Sequence, residues 1–184
     1  MENIMIGVGF VAITLSWIYN SLISKKNEVD NVFAGLDAVL KKRYDLIPNL
    51  VASVKEYMTH EKSTLEKIAE LRSQAMNPNL SSHQKMALEK EFSSALGNIL
   101  VAVENYPNLK ANENFAHLQA TLNEIEEQIS AARRAYNQSV TDYNNAIEMF
   151  PTSLMAAVMK LERKTVFQIS ETERQNVNVK NLFQ

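Results

Sequence analysis

His60-Glu61 is the pair in this chain closest to a catalytic metal motif, because HExxH on a helix turns two imidazoles toward one zinc with the glutamate as base. The run here is HEKST, so Thr64 stands where the second histidine is needed and a ligand is missing. A di-iron or di-manganese bundle uses glutamates from two helices and Glu-x-x-His from two more. Glu56 with His60 and Glu113 with His117 are spaced by four rather than three, and Glu56 and His60 flank the apolar seam instead of lying on it. These pairs read as solvated helix faces, with a bundle metal enzyme as the alternative. The chain has no cysteine, which excludes thiolate sites, cysteine nucleophiles and disulfides together. Four glycines are too few to build the phosphate loop, the dinucleotide fingerprint and the nucleophile elbow. No catalytic, cofactor-binding or metal-binding residue is assigned, and the chain reads as a non-enzyme.

The remaining polar candidates sit on apolar stripes. They are Arg43 and Glu61 in the first half, and Glu126, Arg133, Asn137 and Asn144 near the seam of a long later helix. Polar side chains at core positions lower stability but fix register and partner choice when each is paired, and that is the role assigned to them. A ligand pocket made by the same residues is the sharper alternative. Tyr136 and Tyr143, seven apart on one face, are expected to pack their rings and send their hydroxyls to a neighbouring helix. In KKRYDLIPNLV, residues 41–51, Pro48 has no amide hydrogen and its ring clashes with the carbonyl four residues back. The reading is a bend there, where a membrane-proximal helix enters the bundle, with Arg43 and Asp45 beside it as partners for Glu126 or Arg133.

The elements that must position these residues are helical throughout. Beyond the amino-terminal apolar run only Gly35 and Gly97 occur, so turns needing positive φ have almost nothing to use. Pro78, Pro107 and Pro151 punctuate the chain. The predicted helices are the apolar run continuing to about Leu46, then 48–76, 82–105, 114–149 and a short one at 154–161. The fourth has the cleanest seam, with Phe115, Leu118, Leu122, Ile125, Ile129, Ala132, Tyr136, Val140, Tyr143, Ile147 and Phe150 at spacings of three and four. Long helices with short connections predict an elongated antiparallel up-and-down bundle over residues 27–161. The polar tail, 162–184, is expected to be a flexible terminus, or an extended segment that needs a partner such as a second subunit.

Asn3 to Ser24 carries no ionisable side chain except Tyr19, a length of about 22 residues that suffices to cross a hydrocarbon core. A transmembrane helix over 4–24 is expected, with Trp17 and Tyr19 at its interfacial end. Lys25 and Lys26 follow, which places the amino terminus outside and the bundle in the cytoplasm. A formal net charge of −2 offers no basic field for a phosphate backbone, so nucleic acid is not a partner.

RYDLIPNLVASVKEYMTHE, NYPNLKANENFAHLQ and EIEEQISAARRAYNQSVTDYNNAIEMFP, in this order, resemble the LemA family. On the matching positions the motif residues are Arg43, Asp45, Pro48, Asn49, His60, Glu61, Tyr106, Pro107, Glu126, Arg133, Tyr136, Asn137, Tyr143 and Asn144. The resemblance implies a membrane-anchored helical bundle on the cytoplasmic side of a bacterial inner membrane, with no established enzymatic activity. Some members are encoded near membrane metalloproteases of stress response, and a relative belongs to the machinery that forms magnetosome membranes. The expected function is a membrane-anchored scaffold or interaction protein that self-associates, organises the bilayer or assists such a protease. A sensory domain binding a small ligand outside the cell would need a second span, and no second apolar run is long enough.

Overall fold

Helix α1 (Glu2–Val54) runs for 53 residues without a break, about 80 Å at 1.5 Å per residue. It carries the apolar segment into the bundle as one element, with no linker between them. The computed structural model describes residues 1–167 and is all-helical among them, with five further helices. These are α2 (Lys62–Ala75), α3 (Ser82–Val103), α4 (Pro107–Lys110), α5 (Glu113–Glu148) and α6 (Thr152–Val158).

Pro48 lies inside α1 and does not divide it. This corrects the expectation of a helix ending near Leu46 and a second one over 48–76, and that of Pro48 as the entry to the bundle: Ile18, Leu22, Val29, Leu36 and Leu40 are already buried before it, and Pro48 lies near the far end of α1. A proline at 48 leaves the Tyr44 carbonyl without its intrahelical donor. Arg72 of α2 supplies one, its Nε donating to the Tyr44 oxygen at 2.8 Å. The helix instead stops at Val54, where residues 55–61 fold over the bundle end and bury Met58. That stop contains neither glycine nor proline, so the sequence carries no punctuation for it. The later helices begin on clear local signals. Ser81 and Gln84 form a capping box at α3, and the Asn112 side chain accepts from the Phe115 amide at 3.1 Å to start α5.

Contacts between helices set the topology. Asp37 pairs with Lys85 and Arg43 with Glu89, so α3 runs parallel to α1. Lys25 pairs with Asp142, Phe33 meets Tyr136 edge-on and Arg43 pairs with Glu126, so α5 runs antiparallel to it. With α2 returning beside Tyr44, four helices surround a common core from about Asp37 to Val54. Leu36, Leu40, Leu50, Ile68, Phe92, Ile99 and Ile129 are fully buried in it. Below that level α1 and α5 continue as a two-helix section, closed by α6, which packs on both. Ile18 and Leu22 are buried as well, so this section reaches into the apolar segment.

Candidate functional site

Two polar constructions lie along α5, and seven of the sequence-selected residues belong to them. The first is a buried charge cluster in the four-helix section. Arg43 of α1 and Glu89 of α3, 1% and 0% exposed, form an ion pair at its centre. Glu89 also accepts from the Tyr44 hydroxyl at 2.7 Å, the Ser93 hydroxyl at 2.9 Å and the Arg133 guanidinium at 3.0 Å. Arg43 reaches across to Glu126 at 2.5 Å, and Arg133 lies 3.8 Å from the same carboxylate. Two cations face two anions, and the cluster is neutral as a whole. The Arg43 guanidinium also stacks over Phe92, 5.0 Å from the ring centroid.

Burial decides the titration behaviour here. Desolvation draws the Arg43 guanidinium below its ordinary range, opposed by Glu126, and pushes the Tyr44 phenol up to about 12, opposed by Arg43. A cavity of about 220 Å³ opens beside the cluster, polar at Arg43, Ser93 and Glu126 and apolar at Leu96, Leu100 and Leu122. The Arg43 Nε is buried without a hydrogen-bond partner. The carboxylates are engaged by arginines and hydroxyls, and no group of three His, Asp or Glu residues able to hold a metal occurs among the described residues. The geometry is that of an interhelical lock.

The second construction is a clamp in the two-helix section. After α6 the chain turns at Lys160, with φ of 51°, and residues 161–167 run back along α5 without regular secondary structure. Asn144 both donates to the Lys164 carbonyl and accepts from its amide, each at 2.9 Å. Asn137 does the same for Phe167, at 2.9 and 2.6 Å. The Tyr143 hydroxyl donates to the Glu162 carbonyl at 3.0 Å and the Tyr136 hydroxyl to that of Thr165 at 3.3 Å. Seven residues of helix rise about 10.5 Å, close to the roughly 10 Å that three nearly extended residues cover. The Tyr-Asn pair repeated after seven residues therefore holds this strap at every third residue.

This answers how a lone extended segment satisfies its backbone: side chains of the same chain act as its partner strand. The tyrosine hydroxyls reach the strap and not a neighbouring helix, which corrects the expectation for them. The expectation for the tail beyond Phe167 lies outside the described residues. Phe167 joins the two constructions, its backbone held by Asn137 and its ring under the Arg133 guanidinium at 4.9 Å.

The other selected residues lie elsewhere. Glu61 accepts from the Tyr106 hydroxyl at 2.6 Å at the far end of the bundle, and that bond raises the Tyr106 phenol above its ordinary value. Asp45 pairs with Lys41 at 2.8 Å on the surface, not with Glu126 or Arg133. Pro48, Asn49 and His60 are exposed. Glu89, Tyr44 and Ser93 were missed by the sequence reading. The signal for Glu89 exists: positions 89, 92, 96, 99 and 103 of α3 keep a spacing of three and four, which sets a carboxylate on an apolar seam.

Comparison with known proteins places the whole assembly. The chain is 29% identical over 163 residues to Protein LemA of Metamycoplasma hominis, covering 89% of this chain and 74% of that one. It is 23% identical over 186 residues to Magnetosome protein MamQ 2 of Paramagnetospirillum magneticum, covering 88% and 68%. Magnetosome protein MamQ of Magnetospirillum gryphiswaldense is 21% identical over 185 residues, covering 87% and 68%. The LemA family model matches residues 32–181, taking in the charge cluster, the clamp and the strap, so the chain belongs to the LemA family.

Proposed function

We propose that this protein is a non-enzymatic scaffold anchored in the bacterial cytoplasmic membrane, with its bundle in the cytoplasm and its amino terminus outside. The observation that carries the reading is the continuity of α1, one helix long and apolar enough at its start to cross a membrane and buried in the bundle core at its end. Anchor and bundle then move as one body, which suits a protein that presents a surface at a set distance from the bilayer. Lys25 and Lys26 after the apolar segment support the orientation. The likeness to magnetosome proteins supports a role in organising a membrane compartment. The scaffold self-associates, and a membrane metalloprotease is a candidate partner.

Extraction in a gentle detergent followed by sizing tests the reading. Assemblies of several copies are expected, and a monodisperse monomer overturns it. Because the chain has no cysteine, Glu2→Cys and Gln184→Cys report topology directly. An impermeant thiol reagent on intact cells should label the first and not the second, and the reverse pattern overturns the orientation.

A further inference from the structure

We propose that α6 and the turn joining it to α5 form a lipid-contacting cap, seated in the interfacial layer of the same bilayer that α1 crosses. The proposal rests on the reading of α1 as the anchor and adds a second membrane contact to it.

The argument begins with where apolar side chains are left bare. Among the described residues, the large exposed hydrophobics fall almost wholly in residues 1–19 and 149–158; Met76, Val101 and Val166 are the others. Phe150, Leu154 and Val158 are 81%, 66% and 79% exposed. Leu154 and Val158, four apart, share one side of α6, while Met155, Ala156 and Met159 pack inward on the other. Phe150, expected on the seam of α5, lies instead in the turn between α5 and α6. No ionisable residue occurs between Glu148 and Lys160. A surface helix of a soluble domain carries a polar outer face, whereas the exposed residues of α6, Leu154, Ala157 and Val158, are all apolar.

Register supplies the position. Lys25 lies opposite Asp142, Phe33 opposite Tyr136 and Arg43 opposite Glu126. Extending this antiparallel order brings Phe150 level with Ile18, which is buried. Trp17 and Tyr19, exposed at the same level, have the amphipathic rings that favour the headgroup boundary. The bare face of α6 is thus continuous with the apolar surface of α1, and lipid is the occupant that already surrounds that surface. Charges border this face on the bundle side: Arg163 with Glu148 directly beside it, then Lys25 with Asp142, Lys164 with Asp30, and Lys26 and Lys160 on the exterior. An apolar patch bounded on one side by charged residues, with basic ones in excess, fits an interfacial contact.

The test uses the full chain, whose lack of cysteine permits single substitutions. Leu154→Cys and Val158→Cys carry an environment-sensitive fluorophore, with Gly9→Cys in the anchor and Thr59→Cys at the far end as references. Each is reconstituted in phosphatidylcholine–phosphatidylglycerol vesicles and challenged with brominated lipid and with iodide. Retained amide protection at Phe167 shows that the labelled chains keep the native strap. At 154 and 158 shallow brominated lipid should lower emission about twofold, as for a probe roughly 5–10 Å into the interface, with iodide excluded. At 59 the pattern should be reversed. If 154 and 158 behave like 59 while 9 is quenched by lipid, the cap is overturned and the anchor stands. Absence of lipid quenching at 9 as well overturns both. Protection at 154 and 158 from iodide and lipid alike identifies a protein cover, such as a second copy, and also overturns the lipid contact.

Discussion

The four-helix section and the two-helix section are held together by different chemistry. In the former, charged side chains from three helices neutralise one another: Arg43 from α1, Glu89 from α3, and Glu126 with Arg133 from α5. In the latter, side chains of α5 bond to the main chain of the strap, whose own side chains matter little to those bonds. A charge lock fails when one member is removed, because the others are left buried and uncompensated. A main-chain clamp loses its hydrogen bonds one at a time. The difference teaches that this bundle specifies its helix pairing at one end and tethers its returning chain at the other.

Glu89→Ala should break the comparison most severely. It leaves Arg43 and Arg133 around an empty acceptor, at a cost of about 3–5 kcal/mol. Denaturant unfolding of the detergent-solubilised chain measures this, and a loss below about 1 kcal/mol would mean that the cluster does not lock the helices.

The Tyr44 phenol gives the same lock a pH signature. Its folded value is raised to about 12 from an ordinary 10, so the unfolded chain releases the proton first. The contribution is complete below pH 10 and is lost as pH rises through 12, by roughly 2–3 kcal/mol. Burial raises Tyr136 and Tyr143 as well, in the same sense. The diagnostic is therefore the difference between the native chain and Tyr44→Phe, whose stability should fall less steeply over that window.

The clamp should respond locally. Asn137→Ala or Asn144→Ala removes two bonds to the strap, worth about 1–3 kcal/mol together. Hydrogen exchange should quicken at the amides of Phe167 or Lys164 and stay unchanged in α3. Equal loosening of α3 would erase the distinction between the two sections.

Smaller still is the link between Pro48 and Arg72. Arg72→Ala should destabilise by about 1 kcal/mol beside Pro48, and by less in a Pro48→Ala chain, where residue 48 can donate to the Tyr44 carbonyl itself. A double-mutant cycle with no coupling would dismiss the compensation. Least of all, Lys41→Ala should change stability by about 0.5 kcal/mol or less, since its pair with Asp45 is exposed to water.

Much of the fold was legible in the residues. The seam of α5 and the proline punctuation are local patterns, and α3 and α5 lie within a residue or two of their predicted bounds. The caps at Ser81 and Asn112 are local as well, but went unread. Arg43, Glu126 and Arg133 stood out as charges on or near apolar stripes. Glu89 carried the same signal in α3, unread. The clamp was half legible: the Tyr-Asn repeat shows which side chains share a face, but a backbone acceptor has no side-chain code, so the strap could not be identified as their partner.

By itself the sequence determined the all-helical class, an apolar start long enough to cross a membrane and the faces that must be buried. Each is written within a few neighbouring residues, as composition or as a three-and-four period. Only the tertiary structure decided that Arg43 meets Glu89, 46 residues away, and Glu126, 83 away. It also decided that Pro48 is tolerated inside α1 and that the returning chain lies on α5. These outcomes depend on helix register and on donors arriving from distant segments. Neither is set by the local stretch that contains the residue.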